Sequence, residues 1–251
     1  MRRSCLSVIV CLSISVSSAF AQLNNDPDRI ETTQGDIVVH PILHGTVIFE
    51  WDGKTIYVDP WGSAGLYEGK PAPDIILITH PHGDHLSPDT LAVLDTSSAK
   101  FYVPQAVADK MPDQYLEQTT VIANFDTTEV EGITINAVPM YNLPEEGARH
   151  AKGWGNGYVL SMGGKDIYVS GDTEDIPEMR DLKGIDVAFV CMNLPYTMDI
   201  NQASDAVLDF EPAIMYPYHH RGQDIEAFKN LVEAGNKAIE VRLKNWYPAS
   251  N

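Results

Sequence analysis

Disulfides are excluded before anything else. The sequence has three cysteines, and Cys5 and Cys11 lie in an N-terminal segment with the marks of a secretory leader. That segment has Arg2-Arg3, an apolar stretch from Leu6 to Phe20 broken by serines, and the small-x-small tripeptide Ala19-Phe20-Ala21. Cleavage after Ala21 is expected, which makes 1–21 a signal peptide and 22–251 a single domain with one thiol. An exported chain with one thiol is held by packing and metal, not by cross-links. The thiol, Cys191, follows the apolar run Val187-Ala188-Phe189-Val190 and reads as a core residue rather than a nucleophile. Neither Cys5 nor Cys11 has the small-residue context of a lipid attachment site, and the residues after Arg2-Arg3 do not support twin-arginine export.

Positive charge is also scarce. Lysine and arginine number 17 against 35 aspartates and glutamates, for a net charge of −18. Losing Arg2 and Arg3 with the leader takes this to about −20. Such a chain repels nucleic-acid phosphates and anionic membrane surfaces, which leaves a small molecule as the expected partner. The mature chain has no expected membrane span, and no internal repeat or low-complexity linker is visible.

What the sequence does have is concentrated in His80-Pro81-His82-Gly83-Asp84-His85. Three of the chain's eight histidines and one carboxylate fall within six residues, directly after the apolar run Ile75-Ile76-Leu77-Ile78. Neutral imidazole and carboxylate are ligands for zinc and its borderline neighbours. The proline and glycine between them set a tight loop, so a metal site is favoured over a polar surface loop.

Around it the pattern is short strands, then alternation. Residues 46–51 and 54–58 form a hairpin about Asp52-Gly53, ending at Asp59-Pro60, while 22–34 reads as a flexible lead-in. A strand over 74–79 delivers the cluster, and Ser87-Pro88 starts a helix with Leu91, Val93 and Leu94 on its apolar face. A strand at 101–104, a helix at 105–110 and a hairpin over 127–139 follow. The glycine-rich stretch 141–157 reads as a long irregular loop carrying His150. A hairpin about Gly163-Gly164 ends at Gly171-Asp172-Thr173. Beyond it come a short helix at 177–182, a strand at 186–192, a helix after 200, and a strand at 213–216 running into His219-His220. A helix over 224–234, with Ile225, Phe228, Leu231 and Val232 inward, is stopped by Gly235, and a strand at 238–243 closes the chain. The class is α/β with a layered core.

The cluster at 80–85, His150, Asp172 and His219 each follow the end of a strand. Five histidines and two aspartates suffice for two ions, which together can lower the pKa of a shared water and polarise a carbonyl or phosphoryl group. Taken together, HPHGDH, a later lone histidine, GDT after a hairpin and a late histidine resemble the metallo-β-lactamase superfamily. The likeness spans nearly all of the mature chain and looks closest to the branch of ascorbate-phosphate-lactonase-like proteins.

That resemblance implies a four-layer αβ/βα sandwich with the site at one edge of two facing sheets. It implies that His80, His82 and His150 hold a first divalent ion. Asp84, His85 and His219 would hold a second, with Asp172 bridging. It also implies a metal-bridging hydroxide as the attacking species, oriented by Asp84 as the catalytic residue, and Asp59 supporting the histidine loop. Zinc is the default ion, with manganese and iron as alternatives. His219 is preferred to His220, which is placed at the pocket rim. His40 and His44 read as structural, with His44 able to approach the site. Lys152, Trp154, Asn156, Asn193 and Tyr196 are candidate pocket residues.

Departures from the resemblance narrow the chemistry. Iron redox members have a carboxylate where this chain has His82. Many true β-lactamases have a cysteine, or no bridging carboxylate, where it has Asp172. A glutathione thioesterase calls for a basic patch that this acidic chain does not display. The expectation is an exported hydrolase of a small ester, lactone or phospho(di)ester. The alternatives are a metal-binding protein without turnover and a β-lactam hydrolase.

Overall fold

The computed structural model describes residues 23–235 and 237–248; the leader expected at 1–21 lies outside them. Two seven-stranded sheets form the centre, each with its strands in sequence order. The first holds β1 (Asp28–Ile30), β2 (Ile37–Leu43), β3 (Thr46–Trp51), β4 (Lys54–Val58), β5 (Ile75–Leu77), β6 (Lys100–Val103) and β7 (Thr119–Val121). The second holds β8 (Thr127–Val130), β9 (Ile133–Met140), β10 (Gly155–Met162), β11 (Lys165–Val169), β12 (Val187–Cys191), β13 (Ile214–Tyr218) and β14 (Glu240–Val241). In the first sheet β1 to β4 pair antiparallel and β4 to β7 parallel. The second repeats this, antiparallel from β8 to β11 and parallel from β11 to β14.

Side-chain alternation along the strands explains the layers. In β3, Val47, Phe49 and Trp51 join the cluster between the sheets, while Ile48 points the other way. In β5, Ile75 and Leu77 face inward and Ile76 faces out. Both faces of these strands are covered, so they read as continuous apolar runs rather than as apolar–polar alternation. Phe49 meets Phe189 of β12 edge to face at 5.5 Å between the sheets. Leu91 of α1 (Pro88–Val93) and Val107 of α2 (Gln105–Ala108) cover the outer face of the first sheet. Across the second sheet lie α3 (Pro177–Arg180), α4 (Ile200–Phe210) and α5 (Ile225–Ala234), through Met179, Ala203, Val207, Phe210, Phe228 and Val232. The result is the four-layer αβ/βα sandwich. Among the described residues no helix is long and apolar enough to cross a membrane.

Local signals set several boundaries. Ser87 Oγ accepts the Thr90 N–H at 3.2 Å and Asp224 Oδ1 the Ala227 N–H at 2.9 Å, so each caps its helix. Asp52-Gly53 and Gly163-Gly164 take the positive φ pairs of tight hairpin turns.

Four expectations need correction. The lead-in contains β1, because backbone pairing to β2 and burial of Ile30 order it. Val93 and Leu231 are exposed, each falling at the edge of a stripe narrower than helical spacing suggests. The last strand shrinks to Glu240–Val241. The irregular segment ends at 154, because Gly155 and Gly157 belong to β10. A Cβ at Gly155 would stand 2.8 Å from Met140 Sδ and 2.9 Å from Thr79 O; one at Gly157 would stand 2.8 Å from Ser170 O. These glycines permit close approach. The sheets meet there through Asn156 N–H to Thr79 O at 2.9 Å and Tyr158 O–H to Ile78 O at 2.8 Å.

Candidate metal centre

At that convergent edge the strand ends supply the site. Asp59 follows β4, the HPHGDH loop follows β5, His150 lies between β9 and β10, Asp172 follows β11 and His219 follows β13. Left-handed backbone at Asp59, His44 and His219, all residue types that tolerate it better than most, turns these chain ends toward one another.

Hydrogen bonds on the far side of each ring decide which nitrogen faces the centre. Asp59 is fully buried. Its Oδ1 accepts the Thr79 N–H at 2.7 Å, and its Oδ2 accepts Thr79 Oγ1–H and His85 Nδ1–H, each at 2.7 Å. With its proton given to Asp59, Thr79 Oγ1 accepts from His80 Nδ1 at 3.0 Å. Asn142 Oδ1 accepts both the N–H and the Nδ1–H of His150 at 2.9 Å. The Nε2 atoms of His80, His85 and His150 are therefore turned inward.

The inward atoms form two overlapping sets. His82 Nδ1 lies 2.9 Å from His80 Nε2 and 3.3 Å from His150 Nε2, and Asp172 Oδ2 lies 3.6 Å from His150 Nε2. On the other side His219 Nε2 lies 3.1 Å from His85 Nε2, 3.3 Å from Asp172 Oδ1 and 3.8 Å from Asp84 Oδ2. All seven residues expected as ligands thus meet at one edge. Their donor set suits a divalent cation. One proton on His82 Nδ1 can serve only one of the two Nε2 lone pairs aimed at it, whereas a cation serves all three nitrogens. Asp172 Oδ1 is buried without a hydrogen-bond partner, another atom that a cation would satisfy.

Burial holds the His80 and His219 rings well below their ordinary range, with neighbouring histidines adding to the effect. His150 is pushed down to about 3 by burial and by His82 and His85. At His85 burial also lowers the pKa, but Asp59 and Asp172 outweigh it and bring it to about 9. Burial lifts Asp172 to about 6 against the pull of His85. At Asp84 burial is outweighed by the His44 hydrogen bond and by His85 and His219, so its carboxyl stays well below the usual range.

The cluster without metal therefore keeps a proton on His85 at neutral pH, and a ligating cation must displace it. Metal affinity is expected to rise about tenfold per pH unit from pH 7 toward 9, then level off. The sign follows from the raised pKa: the His85 proton stabilises the metal-free fold below about 6.5 and that contribution is lost as pH rises through about 9. Calorimetric titration in two buffers of different ionisation enthalpy measures the proton released at pH 7.5. About one is expected, and none would contradict the assignment.

His44 is closer to the centre than its sequence context indicates. Its Nε2–H donates to Asp84 Oδ2 at 3.1 Å and its ring lies 3.6 Å from that of His219. Behind it, the Arg221 N–H donates to Tyr247 Oη at 2.7 Å and Tyr247 O–H donates to His44 Nδ1 at 2.9 Å. With Asp84 and His219 it forms a further group able to hold an ion. A signal was available in the adjacent Gly45, where a Cβ would stand 3.0 Å from His219 Cδ2 and 3.1 Å from His85 Cε1.

The other candidates separate. His40 lies outside the site, bound to Glu50 at 2.5 Å and to Lys70 at 3.0 Å. His220 packs on Tyr247 with ring centroids 4.9 Å apart, away from the ligand atoms. Trp154 flanks the centre 4.9 Å from the His82 ring, and Tyr196 lies beside Arg149. Lys152 is paired with Glu178 at 3.1 Å. Asn156 and Asn193 are buried loop and strand fasteners: Asn156 donates to Ile122 O at 2.9 Å, and the Asn193 N–H donates to Thr197 Oγ1 at 2.7 Å. Cys191 is fully buried and burial pushes its thiol up to about 12, as befits a core residue. A surface cleft of about 760 Å³ lined by Pro41, Leu43, Ser63 and Pro248 contains none of the ligands. Donor chemistry, not concavity, singles out this edge.

Comparison with known proteins agrees with this arrangement. The family model of the beta-lactamase superfamily domain matches residues 39–219. A UPF0173 metal-dependent hydrolase of Pyrococcus abyssi is 34% identical over 180 residues, 68% of this chain and 78% of the relative. A crystal structure from Parabacteroides distasonis, of a protein assigned as a metal-dependent hydrolase, is 36% identical with a TM-score of 0.80. It covers 88% of this chain and 99% of its own. Igni18, a metallo hydrolase of Ignicoccus hospitalis, is 25% identical with a TM-score of 0.70 over 82% of this chain and 94% of its own. The two-sheet sandwich is thus shared with metal-dependent hydrolases, and this chain belongs to the metallo-β-lactamase superfamily.

Proposed function

We propose that the protein is an exported hydrolase that uses two divalent ions, zinc by default, to cleave a small ester, lactone or phospho(di)ester, within the lactonase-like part of the family. One observation carries the two-ion reading. Asp172 turns Oδ2 toward His150 and Oδ1 toward His85 and His219, at 3.6, 3.5 and 3.3 Å, so one carboxylate serves two histidine groups. His80, His82 and His150 would hold one ion, and Asp84, His85 and His219 the other.

When bound, the ions supply Lewis acidity toward a scissile carbonyl or phosphoryl oxygen and lower the pKa of water. The chain's own residues do the rest. Asp59, Thr79 and Asn142 fix ring orientation, so the inward nitrogens need no rearrangement. Asp84 is half-buried at the mouth and ionised; it accepts a hydrogen bond from the attacking water and aims its oxygen. His44 donates to Asp84 Oδ2 and so holds that carboxylate in position. The water oxygen bonds to the acyl carbon or phosphorus, the bond to the leaving oxygen breaks, and one water proton passes to that oxygen. The half-buried Trp154, beside His82 and His80, shields one flank from bulk water.

The test is metal analysis of the purified protein, then turnover on lactones, phosphodiesters and β-lactams. Two ions per chain with lactone or phosphodiester turnover is the expected result. Two ions with no turnover on any substrate would favour a binding protein, and preference for β-lactams would move the reading to antibiotic hydrolysis. Recovery from the exported fraction with an N-terminus at Gln22 tests the leader.

A further inference from the structure

The net charge of −18 sets a problem for any anionic substrate, and the placement of the few cations answers it. Most described lysines and arginines are ion-paired on the surface. Among the described residues, Lys70, Lys110, Arg149, Lys183 and Arg221 have no carboxylate within ion-pair distance, and Lys70 Nζ is bound to His40 Nδ1 at 3.0 Å. Three of these five surround the metal centre. Arg149 precedes His150 and its Cζ lies 4.3 Å over the Tyr196 ring. Arg221 follows the His219-His220 pair, and its Cζ lies 5.9 Å over the same ring. Lys110 Nζ lies 5.9 Å over Trp154, whose ring contacts His82. The basic patch that the sequence does not display is assembled from three separate segments.

We infer that Arg149 and Arg221, held over Tyr196, form a clamp for an anionic group, a carboxylate or a phosphate, on the substrate of the metal centre. The inference rests on the hydrolase reading above, whose substrate class it narrows. Two guanidinium groups over one ring lie no further apart than about a Debye length at 0.1 M salt. Unpaired, they repel each other, and an anion between them removes that repulsion while accepting their planar N–H forks. Tyr196 holds them by cation–π contact. It is tied to the centre as well, since Asn142 Nδ2–H donates to Tyr196 O at 2.9 Å while Asn142 Oδ1 accepts from His150. The clamp and a ligand histidine thus share one fastener.

The experiment uses the full metal-loaded protein, with R149Q/R221Q, R149K/R221K and the remote control K183Q. Metal content is measured on each. Calorimetric titration with inorganic phosphate and, separately, with succinate reads the clamp directly. R149Q/R221Q is expected to bind at least one of these at least tenfold more weakly at unchanged metal content, with K183Q like wild type and the lysine pair intermediate. The tighter of the two anions in wild type identifies the group. Kinetics on 4-nitrophenyl acetate and mono-4-nitrophenyl succinate, which differ by a distant carboxylate, read specificity. The ratio of kcat/KM for the anionic over the neutral ester is expected to fall at least tenfold in R149Q/R221Q, chiefly through KM. Undetectable anion binding by wild type, or equal affinity in wild type and R149Q/R221Q, would overturn the clamp. If wild type hydrolyses neither ester yet binds anion through the arginines, the clamp stands and the ester-hydrolase reading fails.

Discussion

Asp172→Ala is expected to bind at least one ion fewer per chain and to lose turnover by on the order of a thousandfold or more. The carboxylate is buried, has Oδ1 without a hydrogen-bond partner, and faces His85, His150 and His219. Its removal takes an oxygen from both ligand groups at once. The metal-free fold should respond in the opposite direction. Burial raises this carboxyl to about 6, so the native state bears a desolvation cost that alanine relieves. The melting temperature of the metal-free variant should stay level or rise, while the increase on adding zinc shrinks, because linkage tracks the lost affinity. His40→Ala, outside the cluster, is the control and should keep its metal and turnover. Wild-type metal content and turnover in Asp172→Ala would remove the residue from the centre.

Asp59 is expected to show the largest stability effect. Asp59→Ala leaves Thr79 N–H, Thr79 Oγ1 and His85 Nδ1 without their buried acceptor. Breaking a buried charged pair of this kind costs about 3–5 kcal/mol of folding stability, measured by denaturant unfolding of the metal-free protein. Metal affinity should fall as well, by about 10–100-fold. Asp59→Asn separates the two effects. Asparagine keeps an acceptor for Thr79 N–H but turns an N–H₂ toward His85 Nδ1, which pushes the ring proton onto Nε2, the atom that should ligate. Part of the stability should be retained, because Thr79 N–H keeps its acceptor, while affinity is lost as far as in Asp59→Ala. Equal loss of both in the two variants would show that Asp59 acts through folding alone.

How much of this was legible beforehand depends on how far apart the interacting residues are in the chain. The tight turns at Asp52-Gly53 and Gly163-Gly164 and the cap at Ser87 are short-range devices, and each appears where the residues place it. Gly155 and Gly157 misled because glycine signals both a loop and a close approach of backbones, and only the packing of β10 against Thr79 and Ser170 separates those cases. The repeated pairing order of the two sheets left no trace in the residues. It is a property of topology, and unrelated apolar side chains satisfy it equally well.

The residues alone determined the chemistry of the edge: imidazole and carboxylate in one short loop, more of the same after later strands, and strands apolar enough to be buried on both faces. These are matters of residue type and local spacing. Only the tertiary structure decided which second-rank residues serve that chemistry. Tyr247 reaches His44 across 203 positions, Asn142 links His150 to Tyr196, and Arg149 and Arg221 converge over one ring in a chain otherwise dominated by negative charge. Such partnerships arise when two sheets close on each other at one edge. Closure brings together residues remote in sequence, and no local pattern records which side chains meet there.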